Sequence, residues 1–138
     1  MRQPATAHGR CRCGAIRWYT SGAPFSVSHC HCDDCRQATG AALTTFVGYQ
    51  ARQVQFEEAV PAEYSHRPGA ARLFCRDCGT PIGYRDARLA HELYFYLGVM
   101  AAPERFQPEY HAFVDQALPW LGLDDDLPRY SRFSRSRN

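Results

Sequence analysis

The cysteines are the residues of this sequence whose spacing most clearly indicates chemistry. All seven fall into three short groups, Cys11-x-Cys13, Cys30-x-Cys32-x2-Cys35 and Cys75-x2-Cys78. Seven is an odd number, so a framework made only of disulfides would leave one thiol unpaired. The first nine residues contain no apolar stretch of the kind found in a signal peptide. These features favour a reducing, cytoplasmic compartment, where clustered cysteines are more often metal ligands or redox centres than cross-links.

Four of the thiols are spaced to form a closed zinc site. Residues i and i+2 of a strand point to the same side, so Cys11 and Cys13 can offer two sulfurs to one ion. Cys75 and Cys78 can do the same through a tight turn, in which Gly79 can take a positive φ. Tetrahedral Zn²⁺ binds four sulfurs at about 2.3 Å, and one pair from each of two hairpins supplies them. The sequence therefore predicts a structural zinc that joins the start of the chain to its middle.

The other three cysteines predict a second zinc with an open position. Cys30, Cys32 and Cys35 lie within six residues of one another and can occupy three corners of a tetrahedron. Catalytic zinc sites keep the remaining corner for water or substrate. Three thiolates make the ion soft, which suits holding an incoming thiol as a thiolate more than generating a strong hydroxide nucleophile. These cysteines are the candidate catalytic residues, in the role of zinc ligands.

Other interpretations of the cysteine pattern stay open. The Cys75/Cys78 pair could be a thioredoxin-like redox motif, although Gly79-Thr80-Pro81 and the strand pattern after it argue against the helix that this motif needs. A protein histidine could close the second site and make it purely structural. The candidates are His29, His31, His66 and His111. His31 alternates with two of the cysteines and should point to the opposite face of the chain. The thiols could also be core side chains without metal.

Short β-strands are the elements predicted to position these residues. Proline or glycine recurs about every ten residues, and no solenoid repeat or heptad pattern is present, which favours a mainly β fold with little helix. Apolar alternation predicts the following strands: Ile16–Tyr19, Phe25–Ser28, Leu43–Tyr49, Leu73–Phe74, Ile82–Arg85, Leu93–Met100 and His111–Val114. Only the segment Asp33–Ala38 has a helical pattern.

Length and composition indicate one globular domain. We expect it to cover all 138 residues, with loose termini at residues 1–8 and 131–138. No apolar run approaches the ~20 residues of a membrane-spanning helix, so no membrane partner is expected. The net charge of +2 is too small to indicate a nucleic-acid partner. Every basic residue is arginine, which excludes a lysine Schiff base.

Several segments around the cysteines have the form of a known family. They are Gly9–Gly14, His29–Arg36 with Thr39-Gly40-Ala41, and Phe74–Thr80, and the later Pro119-Trp120 and Leu127–Tyr130 also fit. With these segments the chain resembles the glutathione-dependent formaldehyde-activating (GFA) enzymes and the related centromere protein V domain. The resemblance covers about Gly9 to Phe133, which is nearly the whole chain.

The resemblance implies a β-tent fold of small antiparallel sheets with two zinc ions per chain. It assigns a structural zinc to Cys11, Cys13, Cys75 and Cys78, and a catalytic zinc to Cys30, Cys32 and Cys35. The family reaction joins formaldehyde to glutathione to give S-hydroxymethylglutathione and is classed as a carbon–sulfur lyase activity. A cytoplasmic zinc lyase with a small thiol partner such as glutathione is therefore the expected function.

Side chains near the three-cysteine site are candidates for handling that substrate. His29, His31 and Asp34 could move a proton, or could instead be hydrogen-bonding partners of thiolates or solvent. Arg12 and Arg36 could hold the glutathione carboxylates, although solvent exposure is the default role of an arginine. Four aromatic residues could wall a pocket over the zinc or belong to the core. They are Phe46, Tyr49, Tyr94 and Tyr96.

Two functions of other classes remain as alternatives. One is a non-catalytic zinc-binding interaction module resembling the centromere protein V domain, which an arginine-rich tail would suit. The tail arginines are Arg129, Arg132, Arg135 and Arg137. The other is a thiolate-rich redox or metal-handling protein. The vacant fourth position expected at Cys30, Cys32 and Cys35 favours catalysis over both.

Overall fold

The structure is a computed structural model that describes residues 2–134, except the side chain of His66. It confirms a mainly β fold. The strands are β1 (Thr6–Arg10), β2 (Arg17–Ser21), β3 (Ser26–Cys30), β4 (Thr44–Gln50), β5 (Val54–Phe56), β6 (Ala62–Arg67), β7 (Ala70–Phe74), β8 (Pro81–Asp86), β9 (Glu92–Tyr96) and β10 (Tyr110–Ala112). The α-helix α1 covers Asp33–Thr39. Short 3₁₀ helices cover Ala51–Gln53, Ala87–Leu89, Leu97–Val99, Pro103–Arg105 and Val114–Gln116. Within residues 2–134 no helix is long and apolar enough to cross a membrane.

The strands form two sheets. The smaller sheet has the order β1-β2-β5 and is antiparallel. The larger has the order β10-β3-β4-β9-β8-β7-β6 and is antiparallel except where β10 runs parallel to β3. This parallel pair joins distant parts of the chain, and it brings the segment after Tyr110 beside the end of β3, where Cys30 lies.

The main core lies between the two sheets. Trp18 of β2 stacks on Phe95 of β9, with ring centroids 4.6 Å apart, and both side chains are fully buried. Alternate residues of β2 are buried, as expected for a strand with one face on a core. Cys11 and Cys75 belong to this core cluster. The first cysteine group is therefore built into the packing between the sheets.

The strands predicted from apolar alternation correspond to seven of the ten observed ones, β2, β3, β4, β7, β8, β9 and β10. The predicted strand Leu93–Met100 ends at Tyr96, because Leu97–Val99 turns into a 3₁₀ helix. The sequence analysis missed β1, β5 and β6. In β1 only Gly9 is buried, so this strand has no apolar alternation to detect.

The two segments expected to be loose make definite contacts. Thr6, Ala7 and His8 pair with β2 as part of β1. At the other end the Phe133 ring packs edge-on against Phe113, with centroids 4.8 Å apart. The Arg132 carbonyl accepts a hydrogen bond from the Phe113 amide at 3.0 Å. Residues 135–138 lie outside the described part of the chain.

Candidate metal centres

Four cysteine sulfurs come together between the β1–β2 and β7–β8 turns. They belong to Cys11, Cys13, Cys75 and Cys78, and all lie within 4.8 Å of one another. The Sγ–Sγ distance is 3.6 Å between Cys11 and Cys13 and 3.8 Å between Cys13 and Cys75. Four sulfurs at about 2.3 Å from a tetrahedral zinc would be about 3.8 Å apart. The donor set and its spacing therefore fit a closed tetrahedral metal site.

Two similar turns present these sulfurs. In the first, the Gly14 amide donates to the Cys11 carbonyl at 3.1 Å, and Gly14 has a φ of +82°. In the second, the Gly79 amide donates to the Cys75 carbonyl at 2.8 Å, with a φ of +77° at Gly79. Glycine adopts this left-handed conformation without the strain that a Cβ would introduce. Both glycines follow directly after a cysteine, and the positive φ of Gly79 agrees with the prediction from the sequence.

The second cluster is formed by the end of β3 and the start of α1. Cys30 is the last residue of β3, Cys32 is the N-cap of α1, and Cys35 lies in its first turn. The Cys35 amide donates to Cys32 Sγ at 3.3 Å, and the sulfurs of Cys30 and Cys35 are 3.8 Å apart. All three sulfurs lie within 4.8 Å of one another, and no other His, Cys, Asp or Glu side chain that the structure describes joins the group.

The three thiols of this cluster do not ionise independently. Hydrogen bonds from the thiols of Cys30 and Cys35 lower the pKa of Cys32 to about 2. Contacts with Cys32 and Cys35, together with burial, raise the pKa of Cys30. Negative charges this close repel one another, so a full set of thiolates requires a cation among them. The cluster has three of the four sulfur ligands of a tetrahedral metal and leaves one side without a protein ligand among the described side chains.

A cavity of about 450 Å³ opens beside the three sulfurs. This volume is within the range of about 300–1,000 Å³ typical of small-molecule sites. Aromatic rings form much of its wall, and they belong to Phe46, Tyr84, Tyr94, Tyr110, Phe113 and Phe133. Charged side chains also reach it, namely Asp33, Asp34, Arg67, Arg72 and Arg88. The cavity joins the candidate metal centre to a space in which a small ligand could be held.

The sequence analysis missed Arg72, which is the buried cation of this site. Its side chain is 6% exposed, and its Nη2 donates to Asp34 Oδ2 at 2.7 Å and to Cys35 Sγ at 3.5 Å. The charges of Cys35 and Tyr96 raise the arginine's pKa further, against the effect of burial. Arg72 lies on β7, 37 residues from Cys35. Arg72 lies just before the predicted strand Leu73–Phe74 and belongs to the longer observed strand β7, so the sequence carried no signal that this arginine is buried.

The histidines expected beside the site lie away from the cavity lining. His29 Nδ1 is 2.8 Å from Thr45 Oγ1. His31 Nε2 is 2.9 Å from His111 Nδ1, and His111 Nε2 in turn is 2.9 Å from Asp125 Oδ2. His31 is buried and is not among the residues that line the cavity. The side chain of His66 lies outside the described part of the structure.

Of the two arginines expected to hold carboxylates, Arg36 contacts the protein with its side chain and Arg12 with its backbone. The Arg12 amide donates to Thr80 Oγ1 at 3.1 Å, next to the four-cysteine cluster. Arg36 Nη1 donates to the carbonyls of His31 at 2.5 Å and Gln116 at 2.6 Å. Neither side chain lines the cavity beside Cys30, Cys32 and Cys35.

The four aromatic candidates divide between cavity and core. Phe46 and Tyr94 line the cavity. Tyr96 packs against the cysteine cluster, and its hydroxyl accepts a hydrogen bond from Arg72 at 3.1 Å. Tyr49 belongs to the core between the sheets. This division follows from strand alternation, which turns neighbouring residues of β4 to opposite faces.

Comparisons with known proteins agree with this geometry. A solved structure of a Rhodobacter sphaeroides protein has the same fold, with a TM-score of 0.56, 19% identity, and coverage of 69% of this chain and 88% of that one. A Schizosaccharomyces pombe protein named as an uncharacterized lyase is 32% identical over 74 residues, 54% of this chain. The match covers 53% of that relative, about half of its length. The family model of the glutathione-dependent formaldehyde-activating enzyme matches residues 6–116. Since this match covers most of the sequence and includes both cysteine clusters, the chain belongs to the GFA family.

Proposed function

We propose that the chain is a zinc-dependent carbon–sulfur lyase that acts on an adduct of a small thiol and an aldehyde, such as S-hydroxymethylglutathione. One observation carries the proposal. Cys30, Cys32 and Cys35 present three sulfurs beside a cavity of about 450 Å³. Sites that bind metal for structure alone normally fill all four positions with protein, and the cluster around Cys11 offers four cysteine sulfurs for this purpose.

The two cysteine clusters bind zinc for different purposes in this proposal. Cys11, Cys13, Cys75 and Cys78 hold a structural zinc, and Cys30, Cys32 and Cys35 hold the second. Zinc at the second centre supplies, when bound, a Lewis-acidic position at which a thiol is held as its thiolate. Two zinc ions per chain are thus part of the proposal.

The chemistry requires no redox partner. In the synthetic direction the sulfur lone pair forms a C–S bond to the aldehyde carbon, the carbonyl electron pair moves to oxygen, and that oxygen takes up a proton. The lyase direction breaks the same C–S bond and returns the proton to sulfur. Of the three proton carriers expected from the sequence, Asp34 lines the cavity, which supports its carboxylate as the group that exchanges a proton with the adduct.

The remaining cavity residues bind and orient the substrate. The ring faces of Phe46, Tyr94 and Phe113 restrict the access of water to the reacting carbon. Arg67 and Arg88 lie at the cavity and are about half exposed, which leaves them in reach of a polar end of the substrate. The lyase name of the S. pombe relative supports the reaction class. The reducing conditions that thiolate ligands require support a cytoplasmic location.

The alternative function was an interaction module that binds a partner through its arginine-rich tail. The contacts of Arg129 do not support it. Arg129 directs its guanidinium to the carbonyls of Leu127 at 2.8 Å and Leu123 at 3.1 Å, so it contributes to folding the chain end. Arg135 and Arg137 lie outside the described part of the structure.

Thiol binding to the metal tests the proposal directly. The protein is loaded with Co²⁺ in place of zinc, and its sulfur-to-cobalt absorption is recorded while glutathione is added. We expect the absorption to rise and saturate with glutathione and to stay unchanged with S-methylglutathione, which lacks the thiol. Cys32→Ser should remove the response. An absorption that glutathione leaves unchanged in the fully loaded protein would contradict the proposal.

A further inference from the structure

We propose that Arg72 is a positioning residue of the three-cysteine centre, whose buried charge sets the affinity of that centre for its metal. The inference rests on the proposed metal at Cys30, Cys32 and Cys35, but it does not depend on the lyase reaction. It assigns a role to the cation that the structure places beside a cysteine sulfur.

Four contacts fix the guanidinium. Nη2 donates to Asp34 Oδ2 at 2.7 Å and to Cys35 Sγ at 3.5 Å. Nη1 donates to the Tyr96 hydroxyl at 3.1 Å, and the guanidinium carbon lies 4.6 Å from the centroid of the Tyr84 ring. A planar cation held on several sides keeps one orientation, and its hydrogen bond to Cys35 directs the sulfur that completes the cluster.

The charge of the centre explains why a cation is needed there. A zinc ion bound by three thiolates carries one net negative charge, and a bound substrate thiolate adds another. Cys30 and Cys35 are buried, and a buried charge without a partner is costly. The opposite charge of Arg72, in contact with Cys35, reduces this cost.

Asp34 does not cancel the effect of Arg72. Its carboxylate oxygen lies 2.7 Å from Arg72 Nη2 and 3.8 Å from Arg67 Nη2. Arg72 Nη2 contacts Cys35 Sγ at 3.5 Å, whereas the Asp34 carboxylate does not join the group of three sulfurs. The buried charge of Arg72 therefore acts directly on the metal-binding sulfurs.

The test measures zinc affinity separately at the two clusters. The zinc-loaded protein is equilibrated with a graded series of chelator concentrations and treated with an alkylating reagent, and the modified cysteines are identified by mass spectrometry. Because bound zinc protects thiols, the peptide containing Cys30, Cys32 and Cys35 reports the second centre. The cysteines at 11, 13, 75 and 78 report the first centre and serve as an internal control.

Arg72→Gln is expected to weaken zinc at the second centre by about 10–100-fold, the range typical of residues that support metal ligands. Arg72→Lys should recover part of this loss, since it keeps the charge. Arg17→Gln is the matched control, because Arg17 is an exposed arginine of the smaller sheet that forms an ion pair with Glu57 at 2.8 Å. It should leave both centres unchanged. An unchanged affinity in Arg72→Gln, or an equal loss in the lysine variant, would overturn the proposal.

A double variant separates the effect of the Arg72 charge on zinc affinity from its effect on the folding of α1. Arg72→Gln removes the ion pair of 2.7 Å with Asp34, and this loss by itself could disturb α1. In Arg72→Gln/Asp34→Asn that carboxylate charge is gone, and the zinc affinity should still be low. Wild-type affinity in the double variant would overturn the proposal. The test measures zinc affinity and not turnover, so it is independent of the lyase reaction. If these variants bind zinc weakly and the wild-type protein is inactive, the lyase function is rejected and the role of Arg72 is supported.

Discussion

Cys13 Sγ lies 3.8 Å from Cys75 Sγ, although 62 residues separate them in the sequence. The contact joins the turn after β1, in the smaller sheet, to the turn after β7, in the larger one. In contrast, Cys30 and Cys35 are five residues apart and meet within one local segment. A metal ion at the first cluster therefore closes a long loop of chain and links two sheets, whereas one at the second organises only β3 and α1.

Serine substitutions should separate these two roles. Cys75→Ser is expected to unfold the chain or lower its melting temperature strongly, because structural zinc contributes its binding free energy to folding. Cys32→Ser should keep the fold and lose the metal of the second centre. Thermal unfolding followed by circular dichroism, with metal analysis of each purified variant, measures both effects. Equal losses of stability in the two variants would contradict the division.

Metal and thiol counts test the occupancy of both centres. We expect about two zinc ions per chain and all seven cysteines as free thiols once the protein is denatured in chelator. Elemental analysis and a colorimetric thiol assay give the two numbers. One zinc together with a disulfide among Cys30, Cys32 and Cys35 would exclude the second centre as a metal site.

Gly83 should be intolerant of a side chain. It lies on β8 opposite β9, and a Cβ at this position would overlap the Tyr94 backbone carbonyl. Gly83→Ala would force apart the two strands that carry the cavity residues Tyr84 and Tyr94, and it should cost about 1–3 kcal/mol of unfolding free energy.

Gly98→Ala is the control for this substitution, since a Cβ there meets nothing within 4 Å. We expect it to change stability by less than about 0.5 kcal/mol. Urea unfolding of the zinc-loaded proteins measures both variants. Similar free energies of unfolding for the two alanine variants would contradict the close approach of β8 and β9 at Gly83.

Asp86 should give part of the stability a dependence on pH. It accepts hydrogen bonds from Arg88 Nη2 at 2.6 Å and from the Tyr84 hydroxyl at 3.0 Å, and those from Arg88 in particular lower the pKa of Asp86 to about 2. Because the folded pKa is below the unfolded value of about 3.9, the ionised form stabilises the fold above that pH. The stabilisation is lost as the pH falls toward about 2.

Asp86→Asn measures this contribution. It should cost about 1–2 kcal/mol at pH 7, a value reduced by the solvent screening of the half-exposed Arg88. Arg88→Gln should cost a similar amount, and the double variant should cost little more than either single one, because both changes remove the same ion pair. Urea unfolding of the three zinc-loaded variants at pH 7, where the thiolates keep their metal, measures these costs. Strictly additive losses would contradict the role assigned to Asp86.

The sequence predicted the strands that have apolar alternation. It also predicted both cysteine clusters. The spacing of Cys30, Cys32 and Cys35 is local, so their proximity follows from one turn at the start of α1. The knuckle around Cys75 could be inferred because Gly79 directly follows Cys78 and can take the positive φ that the turn requires.

The parts that could not be predicted depend on contacts between distant segments. Arg72 reaches Cys35 only because β7 and α1 meet in the folded chain, and nothing in the sequence pairs these two residues. The parallel pairing of β10 with β3 brings His111 to His31, across 80 residues. Strand β1 is polar and is recognised only through its pairing with β2.

The central claim is that the three-cysteine centre catalyses exchange between a thiol and its aldehyde adduct. Exchange NMR on a mixture of glutathione and formaldehyde measures this rate directly, with the protein loaded with zinc at both centres. The account predicts an exchange rate above the spontaneous one with the wild-type protein, and a return to the spontaneous rate with Cys32→Ser. A spontaneous rate in the presence of fully loaded wild-type protein would contradict it.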